Sequence, residues 1–450
     1  MGFISRLLYF IKNHIFDFTH RSSRIIARDQ HAISHRDISK NALKVLSHLR
    51  ISGFEAFLVG GGVRDMLLDN QPKDFDIATN AHPEQVHKLF RNALLIGRRF
   101  RLVHVRFGRE VIEVATFRAN HSHQHNPSNS HQSESGMLLR DNVYGTIEED
   151  AQRRDFTINA LYYNISNFCI YDFTNGFQDI EKRIIRMIGE PVARYREDPV
   201  RMLRAVRFAA KLNFNIDQNT TAPIEQLGVL LADVPTARMF EEVIKLLLTG
   251  QGEQTYRLLR QYGLFQYLFP ATDHSIEQNQ STHNLTESMV LQTLINSDER
   301  VMQGKPVTPA FLFAALLWHP LQECLAKFHK MAPVPALDQA AQNVIQKQLQ
   351  STSIPRRFST PMKEIWHLQL RLLRRQGNRA KKLLAHKRFR AGYDLLLIRQ
   401  ASGEDLGGIG EWWTEFQHSG EQHQENMLKA LQERRKRNTK KLKNIVKNND

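Results

Sequence analysis

From Pro199 onward the apolar residues recur with helical spacing, as in Val200 to Leu212, Arg238 to Leu248, Phe311 to Trp318 and Ile365 to Leu373, whereas residues 54 to 116 carry short apolar runs separated by glycine and polar turns. A change of period along one chain argues against a single repeating architecture, and no internal repeat is visible. It predicts an α+β protein, with a small mixed α/β unit followed by helical units. A length of 450 residues is also too great for one ordinary core. Within the first unit, Phe54 to Val59 and Asp74 to Ile77 read as strands, Pro83 starts a helix through Phe90, and Leu102 to Phe107 and Val111 to Thr116 read as neighbouring strands. Ahead of them Asp37 can cap a helix whose apolar positions are Ala42, Leu43, Val45, Leu46 and Leu49.

Charge divides the chain differently. Of the net +16, Arg371 to Arg390 supplies nine basic residues and Arg434 to Lys447 eight, with no acidic residue in either, so the remainder is close to neutral. Concentrated Lys and Arg displace counterions from a phosphate backbone, which makes a nucleic acid the expected partner. Such runs are otherwise solvated helix faces. The candidate contacts are Arg374, Arg375, Arg379, Lys381 and Lys382 in the first run and Arg434, Arg435, Lys436 and Arg437 in the second. Cys169 and Cys324 are the only cysteines and lack paired spacing, which argues against a disulfide framework or a zinc site and makes the cytoplasm the expected compartment. Residues 1 to 18 are apolar but broken by Arg6, Lys12 and His14, too short and charged to span a bilayer, leaving only a weak peripheral membrane contact. Residues 119 to 136 hold His121, His123, His125 and His131 with Glu134 among Ser, Asn and Gln. This composition reads as a solvated flexible loop in preference to a metal site.

The chemistry concentrates where Leu58-Val59-Gly60-Gly61-Gly62-Val63-Arg64-Asp65 is followed by Asp74-Phe75-Asp76-Ile77. On a strand, residues two apart share a face, so Asp74 and Asp76 would stand together while Phe75 and Ile77 enter a core. Paired carboxylates repel unless a cation joins them. Mg²⁺ held by Asp74, Asp76 and substrate phosphates answers that repulsion, and a two-metal arrangement can activate a hydroxyl and stabilise a leaving group. The Gly60 and Gly61 amides and Arg64 would hold a triphosphate. Either feature alone is weak, because acidic pairs on surfaces are common. Farther on, Asp198 can cap a helix whose first turn holds Pro199 and presents Arg201. An ionised Asp accepts and Arg donates, so the pair complements a base edge with an amino donor beside a ring-nitrogen acceptor, the edge of adenine and cytosine. A helix cap with a structural ion pair is the plainer alternative.

These motifs together resemble the DNA polymerase β nucleotidyltransferase superfamily, in the subgroup shared by bacterial poly(A) polymerases and CCA-adding tRNA nucleotidyltransferases. The resemblance is carried by Gly60 to Asp65 with Asp74 to Thr79, by Ile112 to Arg118 (IEVATFR), by Arg153 to Ala160 (RRDFTINA) and by Glu197 to Arg204 (EDPVRMLR). It implies catalytic carboxylates at Asp74, Asp76 and Asp155, and nucleotide contacts by Gly61, Arg64, Arg154, Arg201 and Arg204. Glu113, on a strand facing the Asp pair, competes with Asp155 as the third carboxylate. The family's fold implies a mixed five-stranded sheet with helices in the head, then helical neck and body regions.

Poly(A) addition, with ATP as substrate and RNA 3′ ends as acceptors, is favoured over CCA addition by segments outside the shared motifs. His31 to Ser34 with Asp37 to Ser39, Ile96 to Val105, Pro309 to Pro320 and Leu373 to Arg399 resemble the poly(A) polymerase forms. No His-Asp dipeptide occurs, so an appended metal phosphohydrolase lacks a candidate site. A non-catalytic RNA-binding protein is a third reading, opposed by retention of the acidic and arginine set. The expected organisation is an extension over 1–30, a catalytic head over 31–170, a nucleotide-selecting neck over 171–250, an RNA-binding body over 251–402 and a flexible basic tail over 403–450. RNA-decay proteins are expected partners.

Overall fold

The computed structural model describes residues 24–97, 101–119, 143–278 and 284–433, and the backbone of 130–132 and 138–141. The basic run from Arg434, the N-terminal 23 residues and most of the His-rich segment lie outside the described residues. The chain divides into two compact units, 1–230 and 231–450.

The first unit is built on one sheet. Its strands are β1 (Arg24–Ile26), β2 (Ala56–Val59), β3 (Asp76–Thr79), β4 (Ala93–Ile96), β5 (Leu102–Phe107), β6 (Glu110–Thr116), β9 (Leu161–Tyr163) and β10 (Ile170–Asp172), ordered β1-β10-β9-β2-β3-β6-β5-β4. A separate hairpin pairs β7 (Ser130–Gln132) with β8 (Leu138–Asp141), and β11 (Ile184–Ile185) runs parallel to β12 (Asn215–Ile216). The sheet thus has eight strands where the resemblance implied five. Part of the expected N-terminal extension, β1, forms its edge by pairing Ile26 with Ile170, and part of the expected His-rich loop forms the hairpin.

Helices α1 (Lys40–Ile51), α2 (Gly61–Leu67), α3 (Pro83–Leu89) and α4 (Ile147–Arg153) dress the sheet. Helix α1 buries Ala42, Val45, Leu46 and Leu49 as its spacing requires. Its cap is Ser39, whose hydroxyl accepts the Ala42 N–H at 3.0 Å, while Asp37 ends a short 3₁₀ turn beforehand. On one sheet face Phe57, Val59, Ala78 and Tyr162 pack with Ala151 of α4 in a core cluster. The alternate residues Leu58, Ile77, Val103, Val105 and Val114 are buried on the other face. Burial on both sides explains why β2 and β3 read as continuous apolar runs.

Strand β3 begins two residues later than expected. Val59, the last residue of β2, pairs with Asp76, and Gly60 then turns away at φ +75°, so no β2 residue remains opposite Asp74. After the sheet come α5 (Gly176–Glu181), α6 (Pro191–Glu197) and α7 (Val200–Leu212), the last with the bounds its apolar spacing predicts.

The second unit is helical, and the described part includes Thr236–Leu247, Leu285–Met302, Pro309–Leu316, Pro333–Gln348, Arg356–Leu372 and Phe389–Ala401. Its fold continues past residue 402. Trp413, Phe416, Met427 and Leu428 join Leu368, Leu372 and Tyr393 in one core cluster, and the Trp413 indole donates to the Leu372 carbonyl at 3.0 Å. The tail expected from 403 therefore includes two helices, Ile409–His418 and 421–433, that contribute to this core. No described helix is long and apolar enough to cross a membrane.

Candidate active site

The sheet register assembles the acidic centre. Asp76 lies directly beside Val59 on one side and beside Glu113 of β6 on the other, so the two carboxylates stand on the same face of adjacent strands. Burial first, then the Glu113 and Asp74 charges, pushes the Asp76 carboxyl up to about 6 against the opposing pull of Arg154. Its side chain nonetheless remains open to solvent. Carboxylates that repel one another are a donor set suited to a divalent cation. Among the described residues no three acidic, His or Cys groups are gathered closely enough to hold a metal ion by themselves.

Gly60 allows the centre to form. A side-chain carbon there would make only ordinary contacts, 3.5 Å from Arg154 Nη1 and 3.9 Å from Asp76 Oδ2, and it is the positive φ that calls for glycine. Gly61 and Gly62 open α2 and do not continue the turn, and Gly62 lies against the Asp74 carbonyl, which a Cβ would approach to 3.4 Å. Asp74 itself precedes β3 and is exposed.

The arginines divide by what holds them. Arg154 donates to the Tyr162 hydroxyl at 2.9 Å and to Asp150 at 3.1 Å, while Tyr162 donates to Asp150 at 2.6 Å. Arg64, expected on a triphosphate, is instead 3% exposed. It donates to Asp65 at 2.6 Å and to Asn159 Oδ1 at 2.6 Å, and lies over the Phe208 ring. In this structure it braces α2 from beneath. Asn159 donates in turn to Asp155 at 3.1 Å, and the other Asp155 oxygen accepts both Nε and Nη2 of Arg204. Burial alone would raise the Asp155 carboxyl, but Arg204, Asn159 and the Phe156 N–H together hold it well below the usual carboxylate range. Asp155 thus ties α7 to the RRDFTINA segment.

Asp198 lies just before the next helix, whose N-cap is Pro199, and accepts the Val200 N–H at 3.3 Å. Arg201 pairs with Glu197 at 2.9 Å and with the Arg194 carbonyl at 2.7 Å. Glu197 also accepts from Arg194 at 2.7 Å. Asn159, Asp150, Tyr162 and Glu197 were missed as organisers, although Asn159 and Glu197 stand inside the quoted motifs.

In the second unit, Arg374, Arg379 and Lys382 are exposed with no acidic partner among the described residues. Arg375 lies over the Trp412 ring at 5.1 Å, and Lys381 meets Glu425 at 3.5 Å.

A sheet head with a glycine turn beside paired acidic strands defines a nucleotidyltransferase. Residues 56–186 match the family profile of the poly A polymerase head domain, 213–276 that of a probable RNA and SrmB-binding site of polymerase A, and 329–445 that of the polymerase A arginine-rich C-terminus. Poly(A) polymerase I of Salmonella typhimurium is 52% identical over 413 residues, 90% of this chain and 88% of the relative. A CCA-adding enzyme of Lactobacillus helveticus is 37% identical over 222 residues, 49% of this chain and 53% of the relative. The crystal structure of the Bacillus stearothermophilus CCA-adding enzyme in complex with CTP superposes with a TM-score of 0.56 at 25% identity, covering 83% of this chain and 80% of that one. The chain belongs to the bacterial poly(A) polymerase family.

Proposed function

We propose that this protein extends RNA 3′ ends without a template, transferring AMP from ATP to the terminal hydroxyl with release of pyrophosphate. The observation that carries this reading is 52% identity to a poly(A) polymerase over nine-tenths of the chain, on a head whose register sets Asp76 against Glu113. Likeness to CCA-adding enzymes is concentrated in a shorter span at lower identity.

Asp74 and Asp76 would hold Mg²⁺, which when bound supplies charge for the attacking and leaving oxygens. Glu113 is our choice for the third carboxylate in preference to Asp155, whose oxygens are already engaged by Arg204, Asn159 and Phe156. Asp155 then acts as a positioning residue for Arg204. The Gly60 and Gly61 backbone and Arg154 would meet the triphosphate. Asp198 and Arg201 would read the base edge, Arg201 exchanging its Glu197 contact for adenine; adenine offers the acceptor and donor that this pair complements, whereas uracil and guanine would leave like groups facing. The exposed arginines of the second unit would hold the RNA backbone. We place the protein in the cytoplasm, with messenger RNA among its substrates and RNA-decay proteins as users of the tail.

The test is purified protein given a generic single-stranded RNA or a tRNA lacking its terminal CCA, with ATP alone, CTP alone or both. Long heterogeneous adenylate tails on the generic RNA are expected. Exclusive addition of two cytidylates and one adenylate to tRNA would overturn the reading.

A further inference from the structure

Among the described residues one half of the catalytic sheet face is left open, and its composition suits a nucleotide. The row that contains Asp76 and Glu113 continues across the strands: Glu113 pairs with His104 of β5, and His104 with Leu94 of β4. Directly paired residues share a face, so all four side chains stand on the surface that, nearer β2, is covered by the Phe57 and Tyr162 cluster. Beyond Glu113 this cover ends. Leu94 is 44% exposed, Ile96 40% and Val111 36%, with Leu102 half-buried beside them.

Ordinary sheet surfaces facing water carry polar residues at such positions. Here the floor is aliphatic, and its two polar groups are cationic or able to donate. His104 Nε2 lies 3.5 Å from Glu113 Oε2. Arg106, two residues along β5 and so on the same face, is exposed and meets no acidic partner among the described residues. It stands opposite Val111 on this half-face.

We propose that this open half-face, formed by Leu94, Ile96, Leu102, His104, Arg106 and Val111, seats the 3′-terminal nucleotide of the acceptor RNA. The proposal rests on the catalytic reading above and adds the side from which the acceptor arrives. The glycine turn follows Val59, on the β2 side of Asp76, and the open face lies on the β6 side, so triphosphate and acceptor approach the carboxylates from opposite flanks. Neighbouring strands are about 4.8 Å apart, which sets His104 about 10 Å from Asp76 across two strand spacings. A terminal ribose held near Glu113 brings its own 5′-phosphate outward toward Arg106, and its base over the aliphatic floor. His104 donates to the ribose hydroxyl while steadying Glu113. Apolar contact with a base face is tolerant of sequence, as an enzyme that extends its own product requires.

The experiment uses the full-length chain and a five-nucleotide oligoadenylate, short enough to limit contacts with the basic runs of the second unit. Arg106→Ala, His104→Ala and Leu94→Asp are each expected to raise the KM for the oligonucleotide at least tenfold while leaving the KM for ATP and the melting temperature near wild type, and Arg106→Lys to recover part of the loss. Without ATP, a primer ending in 4-thiouridine should photocrosslink to the unmodified protein within residues 93–113. Oligonucleotide KM values within twofold of wild type in all three variants, or crosslinks confined elsewhere, would overturn the seat. The underlying catalytic reading fails on a different result, near-normal incorporation by Asp76→Asn, so the two failures are distinguishable.

Discussion

Glu113 and Asp155 carry the same functional group into the same head, and their neighbours set them in opposite surroundings. Glu113 stands beside Asp76 in the parallel register and is 43% exposed, free to meet an ion or an acceptor. Asp155 is 11% exposed and fully engaged. Glu113→Gln should therefore cost at least about a hundredfold in turnover, a loss typical of removing a group that acts on transition-state charge, with an unchanged melting temperature. Asp155→Asn should instead destabilise by roughly 1–3 kcal/mol, the range for hydrogen bonds to charged groups. The acid limb distinguishes them further. With its folded pKa held below the ordinary 3.8, Asp155 contributes stability that is present above that pH and is lost as pH falls toward the lower folded value. A melting series from pH 7 to pH 2.5 should show that loss in wild type and a flatter limb in Asp155→Asn; identical limbs would refute the assignment. Arg201→Ala should weaken discrimination of ATP against UTP and GTP by about tenfold, on the order of 1.4 kcal/mol for one base-edge contact. Equal losses for every nucleotide would point to its Glu197 and Arg194 bonds as merely structural.

At the scale of elements, long periodic segments were legible and short ones were not. Val200–Leu212 matches its expected bounds because a wide apolar face over several turns leaves little freedom of assignment. Strands β1, β9 and β10 have three residues each, too few to display a period of two, so the sheet outgrew its expected five strands. The candidate site followed the same division. Asp76, Glu113 and Gly60 meet because their strand pattern and turn chemistry are local, whereas the burial of Arg64 beneath α2 depends on Asn159 and Phe208, distant in sequence. Nor could composition reveal that Trp413 and Phe416, amid a polar C-terminal stretch, complete a core with Leu368 and Tyr393. Trp413 is fully buried and its indole bonds the Leu372 carbonyl. Trp413→Ala should cost about 3–5 kcal/mol, the usual range for emptying a buried aromatic site, read as a lowered denaturation midpoint of the second unit. A change below about 0.5 kcal/mol, the scale of surface substitutions, would mean that residues beyond 402 are dispensable to this fold.

Across the whole molecule, charge sets the carboxylate centre apart from the basic runs that we propose hold RNA. The carboxylate centre lies in the first unit, while the net positive charge comes from two runs in the second, and all eight basic residues of Arg434 to Lys447 lie beyond the last described helix. The earlier run already spends part of its charge within the fold, since Lys387 and Arg388 meet Glu364 and Arg390 meets Asp394. The terminal run has no acidic residue within it to compete with phosphate. Each phosphate neutralised on a single strand contributes about 0.7 to the slope of log affinity against log salt, so eight contacts set a ceiling of about 6. Deleting residues 434–450 should lower that slope by at least about 2, consistent with three or more lost contacts, and weaken RNA binding most at low salt. Addition of a single adenylate at saturating RNA should persist, because Asp74, Asp76 and Glu113 are untouched. Tails made in a single encounter should shorten, since the product dissociates sooner once its backbone is less firmly held. Affinity across a salt series and tail length under single-encounter conditions, for the full and shortened chains, measure both effects. An unchanged slope with unchanged tail length would assign the terminal run to solvent and leave RNA retention to Arg374, Arg379 and Lys382.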